Sequence, residues 1–148
     1  MRVIENVLSA CPVLINGWTR MLDKIKILVG YDGSLQSRKA LTEAITIAEH
    51  FSGFIKVVNV YDEGKKKEAE TTIIEAKQKL EKEDVAYDVS LILGSNPAKA
   101  LAIIAKQENF KLIVIGSRGL GSNLSFLLGS VSKQIVANAH CNVLVIKD

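Results

Sequence analysis

Between Gly116 and Ser132 the chain reads Gly-Ser-Arg-Gly-Leu-Gly-Ser-Asn-Leu-Ser-Phe-Leu-Leu-Gly-Ser-Val-Ser. The stretch follows the apolar run Leu112-Ile113-Val114-Ile115 and leads into a helical pattern that begins at Ser130. Glycines let the backbone turn tightly, hydroxyls bond to oxygen, and a helix N-terminus favours anions. Together these are the means of holding a phosphate. A second turn, Asp32-Gly33-Ser34, follows another apolar run.

Two phosphate motifs fail here. Gly116-x4-Gly121 has the glycine spacing of a P-loop, but Ser122-Asn123 stand where its lysine and hydroxyl belong. Gly119-x-Gly121 starts a dinucleotide fingerprint, but Leu124 replaces the third glycine. The stretch holds no lysine, histidine or carboxylate, so it offers no general base beside an outer phosphate. Binding with slow or no hydrolysis is the expectation. His50 and His140 read as helix-end residues with a favourable dipole contact rather than as catalysts.

These loops need a scaffold, and the chain supplies a regular alternation. Strands are expected at Ile25 to Tyr31, Phe54 to Tyr61, Tyr87 to Leu93, Leu112 to Gly116 and Asn142 to Lys147. Helices are expected at Gln36 to Phe51, Lys66 to Lys82, Pro97 to about Gln107 and Ser130 to about Ala139. Ser34 and Asn96 are natural N-caps, Pro97 suits a first helical position, and Ser130 could cap the last helix. Ala40, Ala44, Ile47, Ala48 and Phe51 make one apolar face; Ala69, Ile73, Ala76 and Leu80 make another. Strands alternating with helices imply an α/β fold: an open, doubly wound five-stranded parallel sheet, order 3-2-1-4-5, with helices on both faces. That order reverses between the first and fourth strands, and ligands bind beyond the carboxyl ends at such a point. The Asp32 turn and the Gly116–Ser130 stretch meet there.

A length of 148 residues suits one domain, and a net charge of +3 is too mild for a nucleic-acid footprint. Lys65-Lys66-Lys67 is followed at once by Glu68 and Glu70, a solvated helix start. Cys11 and Cys141 lack zinc or Cys-x-x-Cys spacing and read as reduced thiols of a cytoplasmic protein. No membrane span is expected. Residues 1–24 stand apart as an N-terminal extension. Glu5 and Asn6 precede its apolar stretch where a secretory signal would be basic. That stretch, Val7 to Ile15, is similar to Val136 to Ile146, which leaves open a duplicated last strand; Met21 as the working start is the plainer account.

Gly116-x2-Gly119-x9-Gly129-Ser130 resembles the nucleotide-binding signature of the universal stress protein family. The resemblance continues in Ile27 to Ser34, in Val57-Val58-Asn59-Val60, in Leu93-Gly94-Ser95-Asn96-Pro97 and in Cys141 to Val145, where Asn142 replaces a usual proline. It covers Ile25 to Asp148 and implies an adenine nucleotide alpha hydrolase-like sheet. The intact glycine signature is that of the ATP-binding subgroup. By that resemblance the cofactor is ATP, or ADP or AMP, with Mg²⁺ carried by the nucleotide. Asp32 would contact base or ribose, and the Val60 main chain would bond to adenine. Gly116, Arg118 and Gly119 would wrap the phosphates, while Gly129, Ser130, Val131 and Ser132 would present N–H groups and hydroxyls. The family also implies a homodimer through the closing strand, Asn142 to Lys147, and a protein partner not named by the sequence.

Each residue has a plainer reading: Asp32 a turn former, Arg118 a solvated loop residue, Ser130 a cap, and Leu124, Phe126, Leu127 and Leu128 packing or a flap. Two other functions stay open. One is a nucleotide-independent scaffold. The other is a flavin module, which the scarcity of aromatics disfavours, since Phe126 is the one aromatic in the glycine stretch.

Overall fold

Five apolar runs form one parallel sheet because helices cover both of its faces. A computed structural model describes residues 24–119 and 128–147. The strands are β1 (Lys26–Gly30), β2 (Phe54–Tyr61), β3 (Ala86–Leu93), β4 (Leu112–Gly116) and β5 (Asn142–Ile146). The helices are α1 (Leu35–His50), α2 (Lys66–Leu80), α3 (Pro97–Gln107) and α4 (Ser130–Asn138). All pairings are parallel, and the order is β3-β2-β1-β4-β5. The order read from the sequence is therefore the observed one.

Strand alternation divides the core in two. Ile27, Val29, Ile55, Val57 and Val114 pack under α1 and α2, against Leu41, Ala44, Ile73 and Leu80. Leu28, Val58, Ile113 and Ile115 pack under α3 and α4, against Leu101, Ala105 and Ile135. Leu28, Leu41, Ile113 and Ile135 are fully buried, each stabilising by about 1.5–3 kcal/mol. The expected α2 face, Ala69-Ile73-Ala76-Leu80, is the buried one.

The expected α1 face needs correction at its end. Phe51 is 67% exposed. The helix stops at His50, and Phe51 takes the C-cap with φ −110°, so its side chain leaves the buried stripe. Leu41 and Ile45 fill that stripe with the alanines. Helix α2 also ends two residues short of the expected Lys82, α4 one short of Ala139, and β5 one short of Lys147. The Val7 to Ile15 stretch, Cys11, Gly121, Leu124, Phe126 and Leu127 lie outside the described residues.

Candidate functional site

The cleft opens where the sheet order reverses. It holds about 440 Å³ and is lined by the ends of β1, β2 and β4 and the starts of α3 and α4. That volume falls in the range usual for small-molecule sites, roughly 300–1,000 Å³. Asp32, Val60, Gly116, Arg118, Gly119, Gly129, Ser130, Val131 and Ser132 all line it. Nine residues chosen from four separate stretches thus come together around one space.

The wall on the β2 side is apolar: Val58, Val60, Pro97 and Leu101. The β4 side carries Arg118 and the first turn of α4. Strand β1 lies between, so the two walls are about two strand spacings, or about 10 Å, apart. One wall suits a flat ring and the other an anion.

Helix α4 has Gly129 as its N-cap, with φ −62° and ψ 165° and no side-chain cap. The backbone N–H groups of Ser130, Val131 and Ser132 belong to the turn that has no intrahelical acceptors. Ser130 is exposed and sits at the first helical position, not at the cap expected for it. Gly129 occupies the cap because its N–H donates to the Ser117 carbonyl at 2.8 Å, fixing where the helix starts. That N–H is consequently turned into the protein and away from any ligand role. The Ser132 hydroxyl is likewise committed: it donates to the Gly116 carbonyl at 2.9 Å and the Ser117 carbonyl at 3.1 Å, with the residue 3% exposed. It pins the loop after β4 to α4. The hydroxyl expected to face a ligand is thus given to the loop carbonyls instead.

Three glycines serve different ends. A Cβ on Gly116 would lie 2.6 Å from Gln36 Cβ and 2.8 Å from its carbonyl carbon, so this glycine lets β4 end against the first turn of α1. A Cβ on Gly119 would lie 2.6 Å from Asp32 Oδ2, so the two loops touch there. At Gly129 a Cβ would meet the Ser117 carbonyl oxygen at 3.4 Å, an ordinary contact. Neither φ nor packing demands glycine at 129.

Asp32 Oδ1 accepts from the Ser34 N–H at 3.0 Å. Gly33, with φ +80°, turns the chain into α1. Ser34 caps that helix, its hydroxyl oxygen accepting from the Ser37 N–H at 3.2 Å. Behind the turn, Tyr31 is 4% exposed, and its hydroxyl donates to Glu75 Oε1 at 2.9 Å. Arg38 Nε and Nη2 donate to the two Glu75 oxygens at 2.6 and 3.0 Å. Burial, and then the bond to Glu75, push the Tyr31 phenol up to about 12; the Arg38 bonds hold the Glu75 carboxyl below its ordinary value.

Sequence reasoning missed Gly30, Tyr31, Ser37, Val58, Pro97, Leu101 and Ile115 as lining residues. Leu101 lies one helical turn after Pro97, a signal available in the spacing. A Cβ on Gly30 would sit 2.8 Å from Leu101 Cδ1, so that glycine admits α3 to the wall. Leu128, half-buried just before the cap, does not line the cleft. Among the described residues no group of three His, Cys, Asp or Glu forms a metal site. No described helix is long and apolar enough to cross a membrane.

Comparison with known proteins agrees with the geometry. The profile of the Universal stress protein family matches residues 25–147. A universal stress protein of Thermus aquaticus is 34% identical over 133 residues, covering 82% of this chain and 97% of that protein. The solved universal stress protein of Lactobacillus plantarum superposes with a TM-score of 0.70 at 25% identity, covering 83% and 97%. That of Archaeoglobus fulgidus, solved in complex with dAMP, has a TM-score of 0.69 at 23% identity, covering 86% and 100%.

Proposed function

We propose, for a chain that belongs to the universal stress protein family, that the cleft binds an adenine nucleotide and that ATP is the ligand. The observation that carries this is the first turn of α4, which has no side-chain cap and faces across the cleft to an apolar slot ending at Val60. The dAMP complex of the Archaeoglobus relative supports the same ligand class.

The nucleotide would lie with its base between Val58, Val60, Pro97 and Leu101. Its phosphates would reach the N–H groups of Ser130, Val131 and Ser132, with Arg118 adding a charge-assisted bond. Asp32 and Gly119, which touch, would close on the ribose and the α-phosphate. Mg²⁺ would arrive on the phosphates, where it neutralises their charge. Asp32 is the one carboxylate, and no histidine or lysine stands beside it, among the described lining residues. Slow or no hydrolysis follows, consistent with a regulatory, stress-responsive binding module of the cytoplasm rather than an enzyme.

Among the described residues, strand β5 bonds to β4 on one side only. Its residues Val143 to Ile146 are partly exposed, and an open apolar edge invites pairing. A homodimer joined along Asn142 to Lys147 is the assembly we assign, with a further protein partner of unassigned chemistry.

Titration calorimetry with ATP, ADP, AMP and GTP, each with Mg²⁺, tests the binding. Micromolar heats for adenylates and none for GTP support it; no heat and no thermal upshift at millimolar ATP sink it. A turnover near about one per second that is lost in Asp32→Ala would overturn the absence of catalysis. Sedimentation showing monomer alone at micromolar protein would remove the dimer.

A further inference from the structure

Asn59 is 6% exposed, lies on the α1/α2 side of β2, and does not line the cleft. Its Nδ2 donates to the Tyr31 carbonyl at 2.8 Å. Its Oδ1 is buried and has no hydrogen-bond partner among the described residues. A buried unpaired acceptor is destabilising, and an apolar residue here would avoid it. The amide cannot turn over, since Oδ1 would then face the Tyr31 oxygen, acceptor against acceptor. The side chain is therefore held for its donor.

What that donor does follows from the ladder. Gly30 pairs with Val58, and the Tyr31 N–H donates to the Val58 carbonyl at 2.9 Å. In a parallel ladder the next rung would run from the Val60 N–H to the Tyr31 carbonyl. No such bond is made; the Tyr31 carbonyl instead receives Asn59 Nδ2. Gly33 turns the chain away with φ +80° two residues later, so the rung to the Val60 carbonyl is absent as well. The Gly94 N–H donates to the Tyr61 carbonyl, so the Tyr61 peptide groups face β3 and those of Val60, one residue away, face the opposite side. They point past the end of β1, into the cleft that Val60 lines.

We infer that Asn59 is a positioning residue that ends the β1–β2 ladder one rung early and leaves the Val60 N–H and carbonyl for the base. This rests on the nucleotide reading above, which already turns the Val60 main chain to adenine, and adds the residue that keeps that main chain free. The two groups present one donor beside one acceptor. Adenine offers the complement, its N1 accepting and its 6-amino group donating. Guanine offers an acceptor at O6 and a donor at N1, in reversed order. With the phosphates anchored at α4, guanine would have to turn over to pair.

The test compares wild type with Asn59→Leu and, so that folding does not decide the matter, Asn59→Val. Amide hydrogen exchange at Val60 is measured by NMR without nucleotide. ATP and inorganic tripolyphosphate are then titrated separately. Both variants are expected to slow Val60 exchange about tenfold or more as the Tyr31 carbonyl takes up that N–H. ATP affinity is expected to fall about tenfold, the worth of one hydrogen bond, with tripolyphosphate affinity unchanged. Unaltered exchange at Val60 in a folded variant overturns the positioning role. Equal weakening of ATP and tripolyphosphate overturns the link to the base. Wild-type protein that ignores ATP sinks the nucleotide reading, while the exchange measurement still decides what Asn59 does to the ladder.

Discussion

Helices α1 and α4 both start at the cleft, and they start in opposite ways. At α1 the chain satisfies itself: Ser34 accepts from the Ser37 N–H, Asp32 accepts from the Ser34 N–H, and the Ser37 hydroxyl donates back to the Ser34 carbonyl at 3.0 Å. Ser34 and Ser37 are buried. At α4 the cap is a glycine without a side chain, and Ser130 at the first position is exposed. The nearby hydroxyl, that of Ser132, is turned to the loop carbonyls instead of the helix end. Donors closed by the chain leave nothing for a ligand; donors left open are what an anion would need. Helix α3 belongs with α1, its Asn96 side chain accepting from the Lys99 N–H at 2.9 Å.

The strongest way to break the contrast is to close α4 as α1 is closed. Gly129→Asp suits the extended backbone there and adds a capping carboxylate where phosphate would bind. Nucleotide affinity is expected to fall at least about 100-fold, from lost donors and added repulsion, while Tm holds or rises by ~2–4 °C. A fall in both would show that Gly129 serves the fold rather than a ligand. Next in size is Arg118→Ala. It should weaken ATP about tenfold or more, and AMP less, since a charge-assisted bond to phosphate contributes ~1.5–3 kcal/mol. Equal loss for ATP and AMP would place Arg118 away from the outer phosphates.

The opposite perturbation opens α1. Ser34→Ala removes a cap and should destabilise by about 1 kcal/mol, read as a drop in Tm of ~3 °C, without creating a second anion site. Calorimetry finding two nucleotides per chain would contradict this. The smallest effect concerns the clasp behind α1. Glu75 has a lowered folded pKa, so its contribution is present above the ordinary glutamate value and is lost as pH falls through the lower folded value. The Arg38 and Glu75 side chains are about half exposed, so the pair is worth less than about 1 kcal/mol. Glu75→Gln should therefore flatten the acid limb of stability slightly below about pH 4. An unchanged limb would mean solvent screens the pair fully. Tyr31 runs the other way: its raised pKa favours the neutral phenol, and that stability is lost as pH rises through about 12.

The first-turn caps were legible because capping is local. Ser34 and Asn96 sit one residue before a periodic apolar pattern, and their oxygens reach only three residues ahead. The same local reasoning placed the cap at Ser130 instead of Gly129, because the bond that fixes it comes from Ser117, twelve residues back. Phe51 misled for a related reason: a helical stripe says nothing about where the helix stops. The contact Asn59 makes carried no local signal, since its partner, Tyr31, lies 28 residues earlier, just past a neighbouring strand.

By itself the amino-acid order settled the strand and helix succession, the sheet order and the two loops that meet beyond it. Periodicity, turn residues and the handedness of crossovers act over one element or one connection, and all three can be counted along a chain. Tertiary structure alone decided which carbonyl takes which donor. It turned the Gly129 N–H and the Ser132 hydroxyl inward, used Gly116 to seat β4 on α1, and left the Val60 peptide facing the cleft. Those choices depend on neighbours brought together only when distant segments pack, and a buried polar group takes whatever partner packing puts within reach.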